Sequence, residues 1–553
     1  MLNKIIQLTI AAVLVLPWLA AGAGAAELPR TGQAECFDSR GKVIPCSGTG
    51  QDGETKVGVA WPVQRFANNG NGTMTDNLTG LTWSRHANAP NRALPGDSAN
   101  VCLKAEKDMT WPEALDFIKC LNANNFAGSR DWRLPNANEL ESVVNTGVPD
   151  SSAWLNSNGF GFPGEQQTGV QPGPYWTSGS DASAPFPYSA WDVDLGKGDM
   201  PASTIKNGGA RGVWPVRGAS SGPAPIAKTG QTACYDYLGD SGDCSNTGED
   251  GENSAGSPWP TNRIRTNAGA TVAGDELSSL IWATATQTPG PAACAATSLD
   301  VTWQEALDHV KCLNQHAHLG ITNWRLPNKN ELRSLVDYST GGPALPAGHP
   351  FNDQLGKTYW SSTTDVSSPG GALVVSLLDG SLSSANKTAL LPALPVSGPD
   401  LTAPPLTMSP IASPARGATK AISGTVEAGV TPVVTVNGGA PVPVTVAGSA
   451  WNAQVGVTTG ANNITVTATD LVGNAAAMTA AVTIVKTDGH FGATGPVNIA
   501  DALRALQMAV GLVTPTPTEL LQGDCAPLGA PDGKIDVGDA ILILKKSVGL
   551  VSF

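Results

Sequence analysis

The chain contains one unit twice, and any fold for it must accommodate both copies. Cys102, Thr110-Trp111-Pro112-Glu113-Ala114-Leu115, Cys120-Leu121-Asn122, Asp131-Trp132-Arg133-Leu134-Pro135-Asn136 and Tyr175-Trp176 run in order. They return as Cys294, Thr302-Trp303-Gln304-Glu305-Ala306-Leu307, Cys312-Leu313-Asn314, Asn323-Trp324-Arg325-Leu326-Pro327-Asn328 and Tyr359-Trp360. What recurs is cysteines, tryptophans and helix caps, and no catalytic set recurs with them. Of the 9 cysteines, all but Cys525 fall at matched spacings. Cys36/Cys46 matches Cys234/Cys244, and Cys102/Cys120 matches Cys294/Cys312. The simplest reading is four local disulfides, two per copy, made in an oxidising compartment. No close Cys-x-x-Cys or His pairing accompanies them, which argues against zinc.

At 553 residues the chain exceeds a single core, and about three to five domains are expected. Charged residues make up only 14%, with 63 Gly and 42 Pro, a mix suited to short strands and turns. A formal charge of −13 argues against a nucleic-acid footprint. Residues 1–26 have the pattern of a secretory signal peptide: Lys4, an apolar run from Ile5 to Ala20, and small residues Ala21 to Ala26 before Glu27. No later stretch is apolar enough to span a membrane. The expected location is secreted or at the extracellular surface of a bacterium.

Four segments follow the signal peptide. The first copy covers residues 27–218 and the second 226–398, joined by a linker, 219–225, that is too small and polar to pack. In each copy a helix should start at Thr110 or Thr302, with Glu113 or Glu305 completing a capping box. A second should start at Asn136 or Asn328, with Glu139 or Glu331 three residues on. Leu115, Ile118 and Leu121 share one face, as do Leu307, Val310 and Leu313. The tryptophans read as core residues on strands, each donating one hydrogen bond. Residues 400–486 lose cysteine and gain Val/Thr alternation. Val433–Val436, Asn437-Gly438 and Val442–Val446 read there as a hairpin. Residues 487–553 hold a second, fainter repeat. Gly495 to Leu506 parallels Gly533 to Leu544.

The run W-R-L-P-N-x-x-E-L, with T-G-L-x-W upstream and Y-W-[ST]-S downstream, resembles the Lcl C-terminal domain family, a domain of unknown function (1566) in bacterial exported proteins. The resemblance covers both copies. It implies α+β, C-type-lectin-like domains related to the sulfatase-modifying-factor fold. Thr469-Asp470-Leu471-Val472-Gly473-Asn474 resembles a turn of bacterial Ig-like sandwiches. The final repeat resembles a dockerin, with two EF-hand-type calcium loops each followed by a helix. The expected architecture is therefore multidomain: two α+β C-type-lectin-like domains, one all-β Ig-like sandwich, and one small α-helical dockerin-like domain.

Calcium takes six to eight oxygen ligands, delivered from alternating loop positions. The second loop offers Asp524, Asp532, Asp536 and Asp539, with an insertion after Asp524. The first offers Asp488, Asn498 and Asp501, with Thr494 where an acid is usual. Without metal, the pair would be held by Leu503, Leu506, Ile541 and Leu544. The recurring Arg133 and Arg325 fit either a buried ion pair or contact with an anion. No Ser/His/Asp or Cys/His arrangement recurs. Three functions compete. One is a non-catalytic exported protein whose copies bind a glycan or another extracellular partner; the Lcl resemblance implies sulfated glycans, and the acidic charge departs from that. Another is an assembly component docking to a cohesin-like partner. The third is a sulfatase-modifying-factor-like enzyme, opposed by the paired cysteines.

Overall fold

The structure is a computed structural model that describes residues 27–87, 102, 108–161, 169–183, 187–201, 203–285, 291–294, 298, 300–351, 357–492 and 494–553. The signal-peptide reading of residues 1–26 lies outside the described residues. The described residues divide into two compact units, one within 27–265 and 271–399, the other within 400–553 and 266–270.

In the first unit the helices begin where their capping residues stand. Helices run over Trp111–Ala123 and Trp303–Gln315, each opened by a Thr/Glu capping box. Shorter helices, Ala137–Ser142 and Lys329–Ser334, are opened by Asn136/Glu139 and Asn328/Glu331. Among the described residues each copy also builds a two-stranded hairpin, Cys36–Phe37 with Val43–Ile44 or Cys234–Tyr235 with Ser241–Gly242, and two larger antiparallel sheets. In the first copy they order as Phe66–Asn68, Thr73–Asp76, Thr82–Ser84 and Val216–Arg217, and as Pro174–Ser180, Ser189–Asp194 and Thr204–Ile205. The second copy repeats the latter sheet with Thr358–Thr364, Gly371–Ser376 and Leu382–Asn386. Indole N–H groups find backbone carbonyls: Trp111 on Thr177 and Trp303 on Ser361, Trp176 on Met109 and Trp360 on Val301. These four tryptophans thus close the core and satisfy their one donor inside it, whereas the indole N–H groups of the fully buried Trp83 and Trp282 find no partner among the described residues, against the expectation. The four expected disulfides are present, Cys36–Cys46, Cys102–Cys120, Cys234–Cys244 and Cys294–Cys312.

The two copies are interlocked through their opening segments. Gln33, from the first copy, donates its side-chain amide to the Thr364 carbonyl of the second at 2.8 Å and accepts from the Thr364 N–H at 2.9 Å. Gln231, from the second, makes the same pair of bonds with Ser180 of the first, at 2.6 and 3.1 Å. The exchange continues on both sides. Asn330 donates to the Pro29 carbonyl and Asn138 to that of Ala227. Lys387 reaches the Phe37 and Asp38 carbonyls, while Lys206 reaches those of Tyr235 and Asp236. Each lysine also lies over a buried indole, Lys387 over Trp303 and Lys206 over Trp111. Met200 and Leu382 pair reciprocally between the copies. A single hydrophobic cluster accordingly contains residues of both, Trp83, Trp214 and Leu140 with Trp282, Leu332 and Tyr338.

The linker expectation needs correction. Residues 219–225 pack: Gly222 and Ala224 donate to the Thr79 and Leu78 carbonyls, and the Ala224 side chain is fully buried. Small side chains here permit close backbone approach rather than preventing packing.

The second unit begins with two three-stranded antiparallel sheets. One orders Thr419–Thr425, Ala450–Gly456, Val444–Ala447, and the other Val433–Val436, Gly460–Thr469, Ala475–Ile484. Ile422, Trp451, Val455, Ile464 and Val466 fill the space they share. The expected hairpin forms only at its start. Asn437 and Gly438 both take positive φ, as a tight hairpin turn requires, and Val434 bridges Val442. The chain then leaves for the other sheet. Pro441 and Pro443 have no N–H for a continued ladder. After the sheets come helices Ile499–Ala509, Pro517–Gly523 and Val537–Ser547. The middle one, capped by Thr516 and Glu519, was not anticipated from the repeat pattern.

Candidate binding surfaces

The recurring arginines resolve as ion pairs. Arg133 grips both oxygens of Glu139 at 2.5 and 2.7 Å, and Arg325 grips both of Glu331 at 2.6 Å. The same carboxylates cap their helices, so arginine and helix start are fixed together. Two buried pairs not singled out from the sequence, Arg65–Asp76 and Arg263–Asp275, recur in the same way. The signal was present as a D-x-L-[TS] run that starts at the last residue of a strand, unread because its partner arginine stands 11 or 12 residues upstream, just before another strand.

Two acids sit deep in the exchanged contacts. Burial pushes the Asp52 carboxyl up to about 6 and that of Asp250 up to about 7, against hydrogen bonds from Thr31 and Thr363 to the first and from Thr229 to the second. The folded state thus favours the protonated acids. Their stabilisation is complete below the ordinary carboxyl value near 3.8 and is lost as pH rises through about 6 to 7. In urea melts, the D52N/D250N double variant should lose that decline between pH 4 and pH 7.5 relative to the parent. Parallel profiles would show that both acids stay ionised in the fold.

The proposed metal ligands lie in the second unit. Asp536 and Asp539 form the capping box of the last helix, and Asn498 and Asp501 form that of the first. Asp539 accepts from the backbone N–H groups of Cys525, Ala526 and Asp536. Asp524 accepts from those of Asp532 and Gly533, and pairs with Arg416 at 3.2 Å. Asp488 accepts from the N–H of His490. The donors are all oxygen, as calcium prefers. Their arrangement is one in which N–H dipoles and a guanidinium already supply the positive charge. Among the described residues, no three of these carboxylates come within ligand distance of one another. The group that does, Cys294, Cys312 and His316, contains a disulfide, so its sulfurs are not thiolate ligands. Cys525 is free and buried, and burial pushes its thiol up to about 12, which makes it a poor nucleophile.

The expectation that Leu503, Leu506, Ile541 and Leu544 hold the helical pair is overturned. They are 56%, 41%, 49% and 44% exposed. The contact is made instead by Ala502, Ala505, Met508, Ala540 and Ile543, whose mostly small side chains let the helices approach closely. The larger residues turn outward and, with Ile499 and Val537, line an apolar groove of about 240 Å3. Val510, Leu512, Val548 and Leu550 are exposed as well. The signal was an alanine stripe beside a leucine stripe on the first helix, and Ala540 and Ile543 beside Ile541 and Leu544 on the last; periodicity alone does not say which stripe faces in.

Among the described residues, no helix is long and apolar enough to cross a membrane. In comparison with known proteins, the Lcl C-terminal domain family matches the chain over residues 72–217 and 271–397. Both matched segments begin after the exchanged opening segments. No curated protein matches the chain.

Proposed function

The chain carries two Lcl C-terminal domains in tandem, and from this premise we propose that it is an exported, non-catalytic binding protein. The two-copy unit holds an extracellular ligand, a glycan being the class its family resemblance implies. The helical end docks a partner protein. The observation that carries the reading is the doubled apolar groove, whose large side chains are left in solvent on both helices. Its dockerin-like repeat makes a cohesin-like domain the expected occupant, and the Ig-like sandwich acts as spacer. Export is supported by the signal-peptide pattern and by four disulfides. The absence of catalysis is supported by what recurs: the paired arginines, the capping acids and the indole donors of Trp111, Trp176, Trp303 and Trp360 are engaged in holding the fold. Calcium, in this reading, binds where Asp524, Asp532, Asp536 and Asp539 exchange their N–H partners for the ion.

The test uses the mature chain against a panel of cohesin-like domains, with calcium and with chelator. Binding by at least one domain, weakened more than about tenfold (1.4 kcal/mol) in L503D/I541D with an unchanged melting temperature, is the expected result. Weakening by chelator would place calcium in the docking state. Binding that survives the double substitution, or none at all, removes the groove from the function.

A further inference from the structure

A cleft of about 670 Å3 opens where the two copies meet. One wall comes from the first copy, with Ser189 and Trp191 on one strand, Ile205 on the next, and Asp181, Tyr188 and Ser203 nearby. The other comes from the second copy, with Gly341, Gly342, Leu378 and Asp379. Its described lining holds two carboxylates and no lysine, arginine or histidine.

Hydroxyls, not cations, hold these carboxylates. Asp181 accepts from the Ser183 N–H and Oγ at 2.9 and 2.5 Å, and from the Ser203 Oγ at 2.5 Å. Asp379 accepts from the Ser381 N–H and Oγ at 3.0 and 2.8 Å. A carboxylate held this way keeps lone pairs for further O–H donors, and each serine oxygen remains an acceptor. Beside this polar set lies an apolar one. Trp191, only 2% exposed, is held edge-to-face on Tyr338 at 5.7 Å beneath the cleft, and Ile205 and Leu378 are exposed above it. Oriented acceptors next to a flat apolar shelf suit a ligand with hydroxyls on its rim and C–H groups on its face. An anionic ligand would meet two carboxylates with no counter-charge.

The duplication shows that the scaffold does not require this lining. Aligning strand Ser189–Asp194 with Gly371–Ser376, and Met200 with Leu382, sets Leu373 opposite Trp191, Gly370 opposite Tyr188 and Lys197 opposite Asp379. Asp181 and Ser183 recur as Asp365 and Ser367, with the same hydrogen bonds at 3.0 and 2.6 Å, whereas Tyr188, Trp191 and Asp379 occur in one copy of the arrangement only.

We infer that this cleft binds an uncharged saccharide, with Asp181 and Asp379 at its hydroxyls, Tyr188, Ile205 and Leu378 against its apolar face, and Trp191 supporting them from below. The inference rests on the ligand-binding half of the proposed function and assigns it a place.

The experiment is calorimetry on the mature chain and on D379K and W191L, which install the residues of the other copy. The probes are neutral β-glucan, mannan and chitin oligosaccharides, heparin as a sulfated probe, and chitosan oligomers as an amine probe. Binding of a neutral oligosaccharide, weakened more than tenfold by D379K at an unchanged melting temperature, is the expected result. D379K lies in a partly exposed turn and keeps the test open if W191L fails to fold. Neutral or heparin binding indifferent to D379K leaves the ligand reading standing and overturns the cleft. Chitosan binding alone, lost in D379K, overturns the ligand class. No binding by any probe removes the glycan reading itself.

Discussion

Replacing Glu141 with alanine should destabilise the two-copy unit by about 3–5 kcal/mol in urea melts. Glu141 is buried between two cations of the other copy, with Lys329 at 2.6 Å and Arg333 at 3.0 Å from the same oxygen. Arg333 also donates to the Tyr338 hydroxyl at 2.7 Å. Exposures of 4%, 1% and 6% leave water no ready route to replace a missing partner. Burial pulls the Lys329 ammonium below its usual range, and the Glu141 charge works against that fall. Without Glu141 two buried cations face each other, so Lys329 should neutralise or the copies should part. The pair itself contributes less than its loss would suggest, because desolvation offsets most of the attraction. An E141L/K329M/R333M triple variant should therefore recover much of the lost stability. A loss under about 1 kcal/mol in E141A would mean that solvent reaches the cluster.

Breaking the first disulfide should show its effect in the wrong copy. C36S/C46S should cost about 2–4 kcal/mol through a looser unfolded chain and a looser hairpin. The hairpin of Cys36–Phe37 and Val43–Ile44 belongs to the first copy by sequence, but its carbonyls are held by Lys387. Hydrogen exchange should rise at Thr364, whose N–H is held by Gln33, while Ser180, held by Gln231, stays protected. The mirror variant, C234S/C244S, should expose Ser180 and spare Thr364. Loosening confined to the copy that carries the mutation would contradict the exchange.

Legibility in the sequence followed the range of the interaction. The caps at Thr110, Asn136, Thr302 and Asn328 were readable because a capping box joins residues three apart. The disulfides were readable because each closes a loop of 10 or 18 residues and every spacing occurs twice. The hairpin at Asn437-Gly438 was readable at its turn and not beyond, since the turn is local and the choice of sheet is not. In the helical pair the pattern offered two apolar stripes, and size alone favoured the wrong one. The stripe of Ala502 and Ala505, met by Ala540 and Ile543, wins because helices meeting on small residues approach closely and bury more backbone-proximal surface. In the same loops the sequence offered acids as ligands, off the usual spacing by an insertion after Asp524; the fold placed N–H groups and Arg416 against them.

The sequence by itself determined the duplicated scaffold: which cysteines pair, where helices start, and which tryptophans enter a core. Each of these follows from short-range chemistry repeated within the copy. Only the tertiary structure decided that each copy completes the other, because the bond from Gln33 to Thr364 spans 331 residues and nothing local specifies it. The same holds for the cluster at Glu141 and for the cleft at Asp181 and Asp379. Both arise where two similar surfaces meet, and at that junction Glu141 and Asp379 stand where the other copy carries Arg333 and Lys197.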